Sequence, residues 1–234
     1  MMELQASAIL FDMDGTLVDS RTVVEHTWTE WARANGYDPE YVVRYSHGRP
    51  TKETIRTIAP DMDAVSEAAR LLTKEELDPT PILTIPGAPE AVAAAARHAK
   101  WAVVTSATRR LAQARLRITG LPLPPVLVSS GDIQHGKPHP EPFLRAAEQL
   151  GVAPAECVVF EDTPAGIESG RAAGMSVIAL ATTFSRSELA CDVIITDFRD
   201  LKMEDATNGR LKITVVDLVS ASPVRRERSQ QLPN

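Results

Sequence analysis

The sequence predicts an α/β fold in three layers: a mainly parallel sheet with helices on both faces, interrupted early by a small all-helical insertion. Short apolar runs alternate with helical patterns from residue 86 onward, as βαβ units require. Those runs are apolar throughout, as in strands covered on both faces. Residues 37–85 carry no buried-strand pattern and are more polar.

In chain order, residues 6–11 read as the first strand. From Asp19 the spacing changes: Val23, Val24, Thr27, Trp28 and Trp31 recur at helical intervals and end at Asn35-Gly36, a helix stop. Thr51–Ala59 reads as a helix capped by Thr51 and stopped by Pro60. Asp63–Leu77 reads as another, apolar at Val65, Ala68, Ala69, Leu72 and Leu77. Residues 20–85 are therefore expected to be a helical insertion, with Trp28 and Trp31 packed between its helices. Pro86-Gly87 punctuates the chain. Helices are expected at Pro89–Ala99, Thr108–Thr119, Glu141–Leu150 and Ala165–Ala173. Between and after them lie strands at Trp101–Thr105, Val126–Val128, Cys157–Phe160, Ser176–Leu180 and Val193–Thr196. Pro140 and Gly151 bracket the third of these helices in the usual asymmetry. Leu211–Val219 is a further candidate strand. The Ser-, Arg-, Gln- and Pro-rich segment 222–234 is expected to be a flexible tail, with Arg225, Arg226 and Arg228 solvated.

With 234 residues the chain has room for one large domain or two smaller ones, and 44% apolar against 5% aromatic content calls for an aliphatic, Ala-rich core. A formal net charge of −6 argues against broad nucleic-acid or anionic-membrane binding. Two cysteines, Cys157 and Cys191, are too few for a disulfide framework. No signal-like or membrane-spanning run is present, so a cytoplasmic protein with no membrane partner is expected. Oligomeric state leaves no trace in the sequence; a monomer is the expectation.

Chemistry concentrates at the ends of the apolar strands. Phe11-Asp12-Met13-Asp14-Gly15-Thr16 puts two carboxylates two residues apart where a strand stops and turns, so both can face one pocket. Two acids that close stay ionised only beside positive charge, which a divalent cation supplies. Thr105-Ser106-Ala107-Thr108 offers a hydroxyl and free N–H groups at a helix start, suited to a phosphate oxygen or to a plain cap. In Gly136-Lys137-Pro138-His139-Pro140 two prolines stiffen the backbone around Lys137. Glu161-Asp162-Thr163-Pro164 is a second acidic pair after a buried strand. Acids for Mg²⁺, with a lysine and a hydroxyl for an anion, together describe a site for a metal-bound phosphate.

These four segments, in this order, resemble the motifs of the haloacid dehalogenase superfamily of phosphohydrolases, and the likeness runs over most of residues 6–182. The longer runs around Ser106, Lys137 and Glu161 resemble the branch with small sugar-phosphatases, 2-deoxyglucose-6-phosphatase and glycerol-3-phosphatase. The resemblance implies a Rossmann-like core over residues 1–19 and 86–221, with a helical cap domain inserted at 20–85. It implies Asp12 as nucleophile, forming an aspartyl-phosphate, and Asp14 as the acid and base. It further implies Mg²⁺ held by Asp12, the Asp14 carbonyl and Asp162, with Glu161 helping directly or through water. Phosphate would be held by Ser106, the Ala107 N–H and Lys137. The superfamily's dehalogenases lack an acid at the Asp14 position, because halide leaves without a proton. Ala107 departs from the glycine common among relatives, and Ser129-Ser130-Gly131-Asp132 replaces a segment that is often more acidic. In the loop His47-Gly48-Arg49, His47 and Arg49 are the candidates for choosing a small phosphorylated sugar or polyol. A phosphosugar mutase would carry a histidine where this chain has Val24; His26 is two residues off, roughly 200° around a helix. A signalling receiver domain shares the strand-end residues but is about half as long and lacks the insertion.

Overall fold

A computed structural model describes residues 2–206 and 210–216. The apolar N-terminal run divides at Ser7. Met2–Ala6 (β1) leaves for a separate sheet, and Ala8–Phe11 (β2) enters the main one. The short strand Val18–Asp19 (β3) leads into the insertion: helices Arg21–Ala34 (α1), Pro39–Ser46 (α2), Thr51–Ile58 (α3) and Ala64–Leu77 (α4). Leu83–Thr84 (β4) pairs antiparallel with β3 and closes its base. Then follow Ala88–His98 (α5), Lys100–Val104 (β5), Arg109–Ile118 (α6), Val126–Val128 (β6), Glu141–Leu150 (α7), Cys157–Glu161 (β7), Pro164–Ala172 (α8), Ser176–Leu180 (β8) and Ile194–Ile195 (β9). Leu201–Ala206 (β10) and Arg210–Val215 (β11) end the described chain.

The main sheet has six strands in the order β6-β5-β2-β7-β8-β9, all parallel. Alternation along β2 divides its contacts. Ile9 and Phe11 join the cluster under α5 and α6, with Val92, Leu111 and Leu116; Ala8 and Leu10 join the one under α7 and α8, with Phe143 and Ile167. This makes the three-layer arrangement the apolar runs imply. The chain moves outward from β2 to β5 and β6, then returns to the far side of β2 with β7. That reversal opens a crevice at the carboxyl ends of β2, β5 and β7.

The insertion has an apolar cluster of its own. Trp28, Trp31, Ala32, Val42, Ile55, Ala68 and Leu71 pack together. Trp31 stacks on Tyr37 and meets Trp28 edge-on, as expected of tryptophans packed between helices. Among the described residues no helix is long and apolar enough to cross a membrane.

Several local expectations need correction. An additional helix, α2, is capped by Asp38, whose side chain accepts from Glu40 N. Thr51 is not a cap: Pro50 holds that place and Thr51 is the first helical residue. On α4, Val65 and Leu77 are exposed, and the buried stripe is Ala64, Ala68, Leu71 and Glu75. The candidate strand at 211–219 is β11, but it pairs antiparallel with β1 and β10 in a three-stranded sheet, not in the parallel one. Its expected end past residue 216, and the tail at 222–234, fall outside the described residues. Cys157 and Cys191 are both free, and Cys157 is buried.

Because Ile55 is fully buried within the insertion's own cluster, Ile55→Ala should lower unfolding free energy by about 2–4 kcal/mol. The measurement is a shift of the urea midpoint at unchanged slope.

Candidate active site

Asp12 continues β2 by one residue: its N–H bonds the Phe160 carbonyl of β7 at 2.9 Å. The turn that follows is tight. Thr16, Leu17 and Val18 all direct their N–H groups to the Met13 carbonyl, none to that of Asp14. Gly15 sits at φ +84°, where a side chain is strained, and a Cβ there would lie 2.0 Å from Asp162 Oδ2. Asp12 and Asp14 both reach the same cavity.

Lys137 is the centre of charge. Its ammonium donates to Asp12 Oδ1 at 2.5 Å, Glu161 Oε1 at 2.7 Å and the Val104 carbonyl at 3.1 Å, and lies 5.0 Å from the centre of the Phe143 ring. Burial by itself would depress its pKa, but Asp12 and Glu161 outweigh that and hold it above the usual lysine value. Glu161 is braced on its other oxygen, which accepts from Asp162 N, Thr163 N and Thr163 Oγ1. Glu161 in this structure thus positions Lys137 and the 162–163 backbone.

Asp162 is fully buried. Thr16 Oγ1 donates to its Oδ1, while Oδ2 has no hydrogen-bond partner among the described residues. Asp12, Glu161 and Asp162 place a carboxylate oxygen each within 4.8 Å of one another. Three buried acids around one ammonium leave the site short of positive charge. Burial, opposed by Lys137 and reinforced by Glu161, pushes the Asp12 carboxyl up to about 8. Burial, then Glu161 and Asp12, raises Asp162 well above the usual carboxylate range. An orphaned carboxylate oxygen in a pocket that a single Cβ would fill suits a small cation with a preference for hard oxygen ligands.

At the end of β5, the Ala107 N–H turns to Thr105 Oγ1 at 3.1 Å, and Ser106 Oγ donates to the Gly48 carbonyl of the insertion at 2.9 Å. Thr108 caps α6 through Leu111 N. Contacts between insertion and core continue at Glu53 Oε1, which accepts from Gly136 N, and at the Arg44–Glu188 ion pair. The cavity between them measures about 70 Å³, room for a few water molecules at roughly 10–15 Å³ each.

His47 and Arg49 both line this cavity. The Arg49 guanidinium lies over the Tyr45 ring and bonds the Tyr45 carbonyl. His47 meets Phe184 edge-on, and burial, with Arg21 beside it, lowers its pKa to about 4, so at neutral pH it carries no charge for an anion. Val24 faces the cavity. His26 is exposed and bonds Glu30 and Asp78.

Arg115, Glu75 and Ser20, all at the site, were absent from the sequence reading. Arg115, on α6, donates to Asp14 Oδ1 at 2.7 Å and to Glu75 Oε2, on α4, at 2.8 Å. Ser20 Oγ also donates to Asp14 Oδ1, at 2.6 Å. The missed signal was register: each charge stands in line with its helix's apolar positions.

A parallel sheet whose strand ends gather acids, a lysine and a hydroxyl under a helical insertion defines a hydrolase fold of a known kind. A model of the haloacid dehalogenase-like hydrolases matches residues 6–174. Hexitol phosphatase A of Escherichia coli is 37% identical over 211 residues, covering 88% of this chain and 98% of its own. Glycerol-1-phosphate phosphohydrolase 2 of Saccharomyces cerevisiae is 35% identical, covering 86% of each chain. Among solved structures, CbbY of Rhodobacter sphaeroides superposes with a TM-score of 0.72 at 24% identity, over 84% of this chain and 96% of its own. The chain belongs to the haloacid dehalogenase-like hydrolase family.

The imidazole of His47 titrates near 6.5 in the unfolded chain and near 4 when folded. Between those values the unfolded state binds more protons, so stability falls as pH drops through that window. Urea titrations should find that His47→Gln removes up to about 3 kcal/mol of this acid-side loss.

Proposed function

We propose that this hydrolase removes phosphate from a monoester of a small polyol or sugar, with Mg²⁺ as cofactor and an aspartyl-phosphate on Asp12 as intermediate. The observation that carries the reading is the buried Lys137 between Asp12 and Glu161, with Asp162 beside them and Asp14 at the same cavity. The relatives named for hexitol and glycerol phosphate substrates support the choice of ester.

Asp12 attacks phosphorus, and the bond from phosphorus to the ester oxygen breaks. Asp14 gives its proton to the leaving alkoxide, and in the second half takes one from the water that attacks the aspartyl-phosphate. That water breaks the Asp12–phosphorus bond and releases inorganic phosphate. Lys137 holds Asp12 in place and offsets charge that builds on the phosphoryl oxygens. Ser106 Oγ and the Ala107 N–H turn from their present acceptors to those oxygens. Asp12, the Asp14 carbonyl and Asp162 would hold Mg²⁺, with Glu161 at one remove; when bound, the ion supplies charge neutralisation to nucleophile and phosphoryl group. Residues 20–85 act as a cap on the core, and since the closed cavity is too small for a sugar phosphate, the cap opens to admit it.

Phosphate release from a panel of polyol and sugar phosphates, with and without Mg²⁺, tests the reading. Turnover should require the ion and vanish on chelation. Asp12→Asn should abolish it, and a variant that still turned over would exclude the covalent route. Asp14→Asn should lower kcat by about 10²–10⁴-fold with alkyl esters. The loss should shrink with p-nitrophenyl phosphate, whose leaving group needs less help from a proton.

A further inference from the structure

α4 and α6 each bury one charged residue on an otherwise apolar stripe. On α4 the stripe is Ala64, Ala68, Leu71 and Glu75; on α6 it is Leu111, Ala112, Arg115 and Leu116. The side chains of Glu75 and Arg115 are only 5% and 3% exposed and bond each other. Packing does not explain them, because a buried ion pair is often no more stable than an apolar pair of similar volume. What separates them from a structural pair is where they open. Both line the cavity that holds Asp12 and Ser106, where Val24, Leu72 and Leu111 are apolar neighbours. Glu75 Oε2 is held by Arg115; Oε1 accepts no hydrogen bond from the described residues, yet is not sealed off. Arg115 also holds Asp14, so Glu75 stands one guanidinium's breadth from the group proposed to protonate the leaving oxygen. A substituent on that oxygen that extends toward α4 and α6 meets Glu75. With two carboxylates to one guanidinium, this wall favours a hydrogen-bond donor and disfavours an anion.

We infer that Glu75, tethered by Arg115, is a specificity residue that accepts a hydrogen bond from a hydroxyl on the carbon next to the esterified one. It selects neutral polyol and sugar phosphates over esters lacking that hydroxyl. The inference rests on the phosphatase reading above and deepens it to a structural feature of the substrate.

The test compares glycerol 3-phosphate with 3-hydroxypropyl phosphate, which lacks only the central hydroxyl, using Mg²⁺-loaded enzyme and p-nitrophenyl phosphate as a general reporter. Wild type should favour the hydroxylated ester by at least about tenfold in kcat/KM, since a site built to pair a hydroxyl rejects its absence. Glu75→Leu should cut that ratio by about fivefold or more, beyond any shared loss of rate. Glu75→Gln, which keeps an acceptor oxygen, should retain more of it. A smaller wild-type preference, an undiminished ratio in Glu75→Leu, or a Gln variant as indiscriminate as the Leu one overturns the inference. Should Glu75→Leu fail to fold, Arg115→Lys, which shortens the tether and keeps the charge, is held to the same criterion. Turnover of the reporter without the preference leaves the phosphatase reading standing and removes this one; no turnover of any ester removes both.

Discussion

A lysine ammonium has three protons to give, and Lys137 gives all three inside the protein: to Asp12, to Glu161 and to the Val104 carbonyl. The rest of the site is arranged around that satisfied cation. Removing the ammonium would leave buried carboxylates unopposed, a loss far larger than that of a surface pair. It also ties three strands together, since its acceptors lie at the carboxyl ends of β2, β5 and β7. The crevice made by the reversal of strand order is held at a fixed width by one side chain from a loop.

Much of this could be read in advance because it sits on strand ends. A strand buried on both faces is conspicuous, and the first polar residue after it is exposed to the crevice by construction. Asp12 and the Glu161-Asp162 pair follow their strands in that way, Ser106 stands one residue further on, and Lys137 was picked out of a loop, beside Pro138; the six-stranded sheet was legible with them. Structure that depends on pairing between distant segments was harder to see. β1 and β11 come from opposite ends of the described chain and alternate apolar with polar or charged residues, so neither resembles the buried strands. α2 is short; only Asp38-Pro39 marks its start.

Glu75 and Arg115 escaped notice for a different reason. A charged residue on a helix is read as surface, and α6 carries four arginines, three of which are not buried. Only the alignment of Arg115 with Leu111, Ala112 and Leu116 distinguishes it. The same holds for Glu75 on α4. Charges that break an apolar stripe on two helices of opposite sign are a pairing signal, and here the pair spans insertion and core. His47 and Arg49, whose chemistry suggested a binding role, do line the cavity; burial leaves one neutral and an aromatic ring lies under the other.

The bond from Ser106 to the Gly48 carbonyl has a kinetic consequence. The hydroxyl has a single proton, so a ligand oxygen that accepts it must unfasten the loop. Arrival and departure are then exchange reactions, with loop and ligand alternating as acceptor for one donor. Such a bond is worth about 0.5–1.5 kcal/mol net: enough to hold the loop against the core, and weak enough to be exchanged for a ligand. The bond thereby helps keep the insertion over the buried Asp12 without a dedicated lock.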